Sequence, residues 1–353
     1  MSDILNSLLK EAGNEYSASV VAKGIESGDI TSYVPTGSFT LNALLSGSIY
    51  GGIPGNKVYA YAGEPSTGKT FFAINAVKRF LKDNPKGFCF YFETESAITS
   101  DMLKDRGVDT NRIAVMPVTT VQEFRSQALR IVNAYLEKPK KDRPPMLFVL
   151  DSLGNLSTEK EMQDIAEGKE TRDMTRSQLI KGAFRVLTLK LGLANVALIC
   201  TNHVYDVIGS YVPMKKMGGG SGLDYAASGV VFFSKKKNKD KDKNTTGVIL
   251  TAKLVKSRLT MEDKRVEVLL DFAKGLDPYY GLSELAVSFG VFKKAKIGNK
   301  NAFDLPNGIS VIESDLDANP EKYYTKAILD EIDSHCKNEF LYGKTNLVAN
   351  EEE

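Results

Sequence analysis

The chain has 353 residues, 42% hydrophobic and 25% charged, enough for one large core with one or two small appendages. No run approaches the ~18 apolar residues of a membrane span, and the N-terminus lacks a signal-peptide core. Cys89, Cys200 and Cys336 have no metal-like spacing, so a reducing, cytoplasmic setting is expected, and a net charge of +2 announces no polyanionic partner by itself.

Residues 1–33 read as an amphipathic, helix-prone lead-in to a core that begins at Val34. An apolar run, Val58 to Ala62, predicts a buried strand. It is followed by Gly63-Glu64-Pro65-Ser66-Thr67-Gly68-Lys69-Thr70, which is G-x-x-x-x-G-K-[ST], and then by Phe72, Ala73, Ala76, Val77, Phe80 and Leu81 at helical spacing. Glycines let the backbone curl so that successive N–H groups face phosphate oxygens, and the helix N-terminus favours the same anion. Lys69 is expected at the β- and γ-phosphates and Thr70 on Mg²⁺. These eight residues predict a nucleoside triphosphate site.

Further along, a strand at 88–92 ends in Glu93-Thr94-Glu95, a helix is expected over about 99–107, and a strand over 113–116. Thr120-Val121-Gln122-Glu123 is a capping box opening the next helix. Met146 to Leu150 is a buried strand that delivers Asp151 at its C-terminal end, the ligand edge of an open α/β sheet, as a second Mg²⁺ partner acting through water. A polar stretch (156–172) precedes a helix carrying Ile180, Phe184, Leu187 and Leu191, and then a strand at 196–200 that ends in Thr201-Asn202-His203. Either Glu93 or Glu95 could act as general base for water, and His203 could sense a γ-phosphate or be structural.

A Gly-rich stretch (204–222) follows, with Tyr205, Tyr211, Lys215 and Lys216 suited to a single-stranded nucleic acid track. Three strands are expected at 228–234, 247–255 and 265–271, with the lysine-rich run 234–243 as a solvated hairpin tip. Residues 275–353 are expected to form a small α+β domain ending in the acidic tail Glu351 to Glu353. Strands alternating with helices imply an α/β fold with a mainly parallel twisted sheet and an antiparallel extension.

Several motifs agree in order. Pro35-Thr36-Gly37-Ser38 with Leu41-Asn42, Gly63 to Thr70, Glu93-Thr94-Glu95, Asp151 to Leu156, Asp173-Met174-Thr175-Arg176, Asn202-His203, Met217 to Gly220 and Lys256-Ser257-Arg258 together resemble the RecA recombinase family, most closely its phage members. The resemblance covers about residues 34–290. It implies a RecA-like P-loop ATPase core at 34–274 with ATP and Mg²⁺ as cofactors, and an oligomerisation segment at 1–33. It implies Glu95 rather than Glu93 as the catalytic glutamate, His203 as the residue coupling γ-phosphate to DNA, and 156–172 and 204–222 as DNA-binding loops. Arg176, Gly219, Gly220 and Ser221 match the family's DNA-phosphate contacts. Lys256 and Arg258 match a basic pair that reaches a neighbouring subunit's γ-phosphate within a filament.

The function implied is ATP-dependent strand exchange on single-stranded and homologous duplex DNA, in recombination, repair and recombination-dependent replication. The partners implied are a single-strand-binding protein and a loading mediator, in a host cytoplasm if the chain is phage-encoded. Met102 stands where bacterial members stack a tyrosine on adenine. A ring-forming helicase built on the same core is the alternative, and the short segment before the core argues against it. A non-hydrolysing mediator is a third reading, opposed by Lys69, Thr70, Glu95 and Asp151.

Overall fold

The computed structural model describes residues 2–14, 20–169, 174–206, 215–239 and 243–343. Tyr211, Asp173 and the acidic tail lie outside the described residues, as do the middle of 204–222 and the tip 240–242.

The chain opens with α1 (Ser2–Glu11), whose Ile4, Leu5 and Leu8 are exposed. β1 (Tyr33–Val34) pairs with β2 (Ile53–Pro54) around α2 (Phe39–Ser46). The segment before β1 is pinned to the core: Lys57 Nζ donates to Gly28 O (2.7 Å) and Asn56 Nδ2 to Asp29 O (2.8 Å).

β3 (Val58–Gly63), α3 (Lys69–Asp83), β4 (Phe88–Glu93), α4 (Ser100–Asp105), β5 (Ile113–Pro117), α5 (Val121–Leu136) and β6 (Met146–Asp151) follow in strict alternation. After them come α6 (Glu159–Ala166), α7 (Arg176–Ala194), β7 (Ala197–Asp206), β8 (Lys215–Met217), α8 (Ser221–Ala226), β9 (Gly229–Lys239), β10 (Thr245–Ser257), β11 (Arg265–Asp271) and β12 (Gly275–Leu276).

These strands form one ten-stranded sheet in the order β12-β11-β10-β9-β3-β7-β6-β4-β5, with β8 on β7. The strands from β9 to β5 run parallel, and β10, β11 and β12 extend the sheet antiparallel, as expected. Alternate residues of β3 serve opposite faces: Tyr59 and Tyr61 pack with α2 and α3, while Val58 and Ala60 pack with α5, α7 and α8. Phe72 on α3 stacks on Phe233 of β9 (centroids 4.8 Å), which fixes the phosphate-loop helix against the strand beside β3.

Three readings are corrected. The polar stretch 156–172 contains α6, capped by a Thr158–Glu161 box of the same kind as Thr120–Glu123. Lys235, Lys236, Lys237 and Lys239 are not a loop tip but lie on β9, because pairing with β10 continues through them: Lys235 opposes Leu250, and Lys237 opposes Val248. The expected boundary at 274 falls inside the core sheet, since Gly275 and Leu276 pair with β11.

The remaining elements are α9 (Leu282–Ser288), β13 (Lys293–Ile297), β14 (Lys300–Asp304), β15 (Ser310–Ile312), α10 (Glu313–Ala318), α11 (Pro320–Tyr323) and α12 (Lys326–Phe340). β13 to β15 form a separate antiparallel sheet. The unit nonetheless shares the core. Ile328, Ile332, Cys336 and Phe340 on α12 join the cluster that covers one face of the main sheet. Asp333 accepts from Ile49 N (2.8 Å) and Ser48 Oγ (2.6 Å), just past α2. All three cysteines are free and buried. Among the described residues no helix is long and apolar enough to cross a membrane.

Candidate nucleotide and nucleic-acid site

Parallel register brings the C-terminal ends of four adjacent strands into one row. Glu93 on β4 opposes Asp151 on β6, and Gly63 on β3 opposes His203 on β7. The phosphate loop follows Gly63 directly, so its residues, both acidic strand ends and His203 share one edge.

The loop has the backbone its sequence demands. Gly68 sits at φ +76° and Ser66 at φ +59°, both left-handed. A Cβ on Gly63 would lie 2.8 Å from Phe233 O, so no larger residue fits there. Thr67 Oγ1 donates to Glu64 O (2.8 Å), closing the turn, and α3 begins at Lys69. Lys69 is 7% exposed, and its Nζ donates to Gly63 O (3.0 Å) and Glu64 O (2.9 Å). Burial lowers its pKa, while Asp151 and Glu95 pull the other way. A buried ammonium at a 15-residue helix N-terminus, within a concave glycine turn, is a cradle for an anion.

Asp151 is nearly buried, with one oxygen accepting from Tyr91 Oη (2.6 Å) and the other from Thr201 Oγ1. Its orientation is therefore set by two neighbouring strands. Among the described residues no group of three metal-ligating side chains exists. A carboxylate and the Thr70 hydroxyl are hard oxygen donors, and a small donor set suits Mg²⁺, which keeps water and substrate phosphates as its other ligands.

The structure separates the two glutamates. Glu93 accepts from the backbone N–H groups of Glu95 (3.0 Å), Ser96 (2.7 Å) and Ala97 (2.9 Å), so its charge organises the turn. Glu95, 39% exposed, accepts from Ser152 Oγ (3.0 Å), and its Oε1 lies 3.7 Å from His203 Nε2. Only Glu95 faces open solvent with an oxygen free to meet water.

His203 leads into the Gly-rich segment through a closed set of bonds. Asn202 Nδ2 donates to Gly218 O (2.9 Å), His203 N to Asn202 Oδ1 (2.9 Å), and Gly218 N to His203 O (2.9 Å). The described part of 204–222 is thus a β7–β8 hairpin followed by α8. Gly219 and Gly220 have φ of +81° and +76°, and a Cβ on Gly220 would lie 2.5 Å from Ser177 Oγ. Gly220 therefore meets the first turn of α7, which Arg176 opens. The Arg176 guanidinium itself donates to Leu156 O (2.8 Å) and Gly154 O (2.8 Å), bracing the turn after β6.

Lys256 and Arg258 lie elsewhere. Ser257 opposes Gly229, which opposes Tyr59, four residues before Gly63 on β3. At ~3.3 Å per residue, that is about 13 Å from the phosphate loop, towards the opposite end of the sheet. Lys256 Nζ donates to Asp224 O, and Arg258 Nη2 to Tyr225 O (2.9 Å), both carbonyls of the last turn of α8. Lys57 is close enough that Arg258, after burial, lowers its pKa.

Sequence reasoning missed three contacts. Arg106 sits 5.1 Å over the Phe71 ring, beside a cavity of about 550 Å³ lined also by Asn75, Asp271 and Phe272. Lys235 Nζ donates to Ser66 O (2.9 Å), and Lys215 pairs with Glu64. Long-range pairing of this kind leaves no local pattern; only the density of lysines in 234–243 hinted at it. Met102 is partly buried against the core.

A model of the RecA N-terminal domain matches residues 3–277. The recombination and repair protein of Enterobacteria phage T4 is 29% identical over 300 residues, covering 84% of this chain and 74% of that protein. The RecA proteins of Thermus aquaticus and Thermus thermophilus are 29% and 30% identical, each covering 74% of this chain and 73% of their own length.

Proposed function

The chain belongs to the RecA family, and from that premise we propose that it is an ATP-dependent recombinase that assembles on single-stranded DNA and pairs it with a homologous duplex. The observation that carries the reading is the single row of Gly63, Glu93, Asp151 and His203, continuous through Asn202 and Gly218 with the Gly-rich hairpin. One site thereby joins a triphosphate cradle to a nucleic-acid track.

Lys69 leaves its loop carbonyls to meet the β- and γ-phosphates, and Thr70 and Asp151 would hold Mg²⁺. Bound there, the ion would supply neutralisation of the phosphate charge. Glu95 orients the attacking water and takes its proton, with Ser152 fixing its carboxylate. His203, 3.7 Å from Glu95, passes the state of the γ-phosphate into the hairpin. Gly219, Gly220 and Ser221 present backbone donors to DNA phosphates beside Arg176. The base lodges in the cavity between Phe71, Arg106 and Phe272, while Met102 packs, partly buried, against the core.

Lys256 and Arg258 complete the site of a neighbouring subunit, because their own phosphate loop is out of reach. α1, with its exposed apolar face, docks on that neighbour. A single-strand-binding protein and a loading mediator serve the filament in the cytoplasm of a phage-infected host.

Two measurements check this reading. Glu93→Ala removes the acceptor of three charge-assisted bonds and is expected to cost about 3 kcal/mol in thermal unfolding. Glu95→Gln is expected to leave unfolding unchanged and to lower turnover by at least ~10²-fold. The reverse pattern would contradict the assignment of roles. Phosphate-driven contact further predicts that single-stranded DNA affinity falls at least about tenfold over a fourfold rise in salt. Salt-independent affinity would remove the basis for the DNA track.

A further inference from the structure

Glu64 stands second in the phosphate loop. Its carbonyl accepts from Lys69 and Thr67, while its side chain points outward and pairs with Lys215. Lys215 sits at the outer end of the β7–β8 hairpin, opposite Asp206. Met217, at the inner end, opposes Val204, and Gly218 to Gly220 follow at once. Among the described residues, this is the only salt bridge from the loop to another element. The Lys215 contact holds the Glu64 carboxyl below its usual range, and Glu64 in turn raises the lysine. Both groups are therefore charged at neutral pH.

We propose that Glu64 is a positioning residue that latches Lys215, and with it the β7–β8 hairpin, onto the phosphate loop, suppressing DNA binding until a triphosphate docks. The inference rests on reading 204–222 as a DNA-binding segment. One ammonium cannot serve two anions fully: while Glu64 holds Lys215, a DNA phosphate must first break the pair. A docking triphosphate brings several like charges to the loop that carries Glu64. They weaken a pair that is solvent-exposed and worth little, so the latch opens. Such coupling is reciprocal, so DNA that captures Lys215 also alters triphosphate affinity.

Fluorescence anisotropy of the full chain on a labelled oligothymidylate, without nucleotide and with a non-hydrolysable ATP analogue, tests the latch. Glu64→Gln is expected to raise nucleotide-free affinity about two- to fivefold and to change affinity less with the analogue. The gain should vanish in a Lys215→Gln background and persist in a Lys215→Arg background. An unchanged nucleotide-free affinity overturns the latch, as does an equal gain in the Lys215→Gln background, which marks a general charge effect. A wild-type chain that binds the oligonucleotide in neither state overturns the DNA reading itself, a distinct result.

Discussion

Lys69→Ala is expected to abolish triphosphate hydrolysis while leaving a folded protein. The lysine is buried at the N-terminus of α3 and donates to two carbonyls of its own loop. Truncation leaves those acceptors short of a donor, at a cost of about 1–3 kcal/mol. α3 remains anchored without it, because Phe72, Ala73, Ala76, Val77, Phe80 and Leu81 are buried against the sheet. The larger loss is electrostatic. Among the described residues no other cation is buried in the cradle; Lys215 and Lys235 reach the loop from its exposed rim. A fixed charge facing a transferring phosphoryl group in a partly dehydrated site contributes roughly 3–4 kcal/mol or more to the rate, about 10²–10³-fold. Phosphate release should fall to background while thermal unfolding shifts by a few degrees. Turnover within tenfold of wild type would show that Lys69 is not the phosphate cation.

Arg258→Ala is expected to separate binding from stimulated turnover. Arg258 lies about 13 Å along the sheet from its own phosphate loop, with its side chain held by the Tyr225 carbonyl. Nucleotide affinity should therefore stay within about twofold. DNA-stimulated hydrolysis should fall by ~10³-fold, the magnitude associated with a cationic finger supplied in trans. The variant keeps a sound phosphate loop, and Lys69→Ala keeps a sound finger. Mixing the two should recover partial activity, because some junctions pair the intact loop with the intact finger. Normal DNA-stimulated turnover by Arg258→Ala alone would exclude the shared site.

The phosphate loop was legible because its chemistry is local: strand, glycine turn, Lys-Thr and helix are contiguous from Val58 to Leu81. Asp151 was legible because a carboxylate ending a run of four apolar residues marks a strand end. Spacing alone left Glu93 and Glu95 ambiguous and only the family resemblance favoured Glu95, since the physical choice depends on which carboxylate folds back on the backbone N–H groups of 95–97. The lysines of β9 misled because charge suggests a loop, whereas pairing with β10 is a distant partner's contribution. α6 had its signal, the Thr158–Glu161 box, but its polar composition masked it. The Glu64–Lys215 pair spans 151 residues and left no trace in either neighbourhood.

On the proposed function the phosphate loop is half of a site completed by the next subunit along DNA. Electron microscopy of the full chain with single-stranded DNA and a non-hydrolysable ATP analogue tests it most directly. The expected result is helical filaments in which Lys256 and Arg258 of one subunit face the phosphate loop of the next. Closed rings, or isolated subunits on DNA, would contradict it.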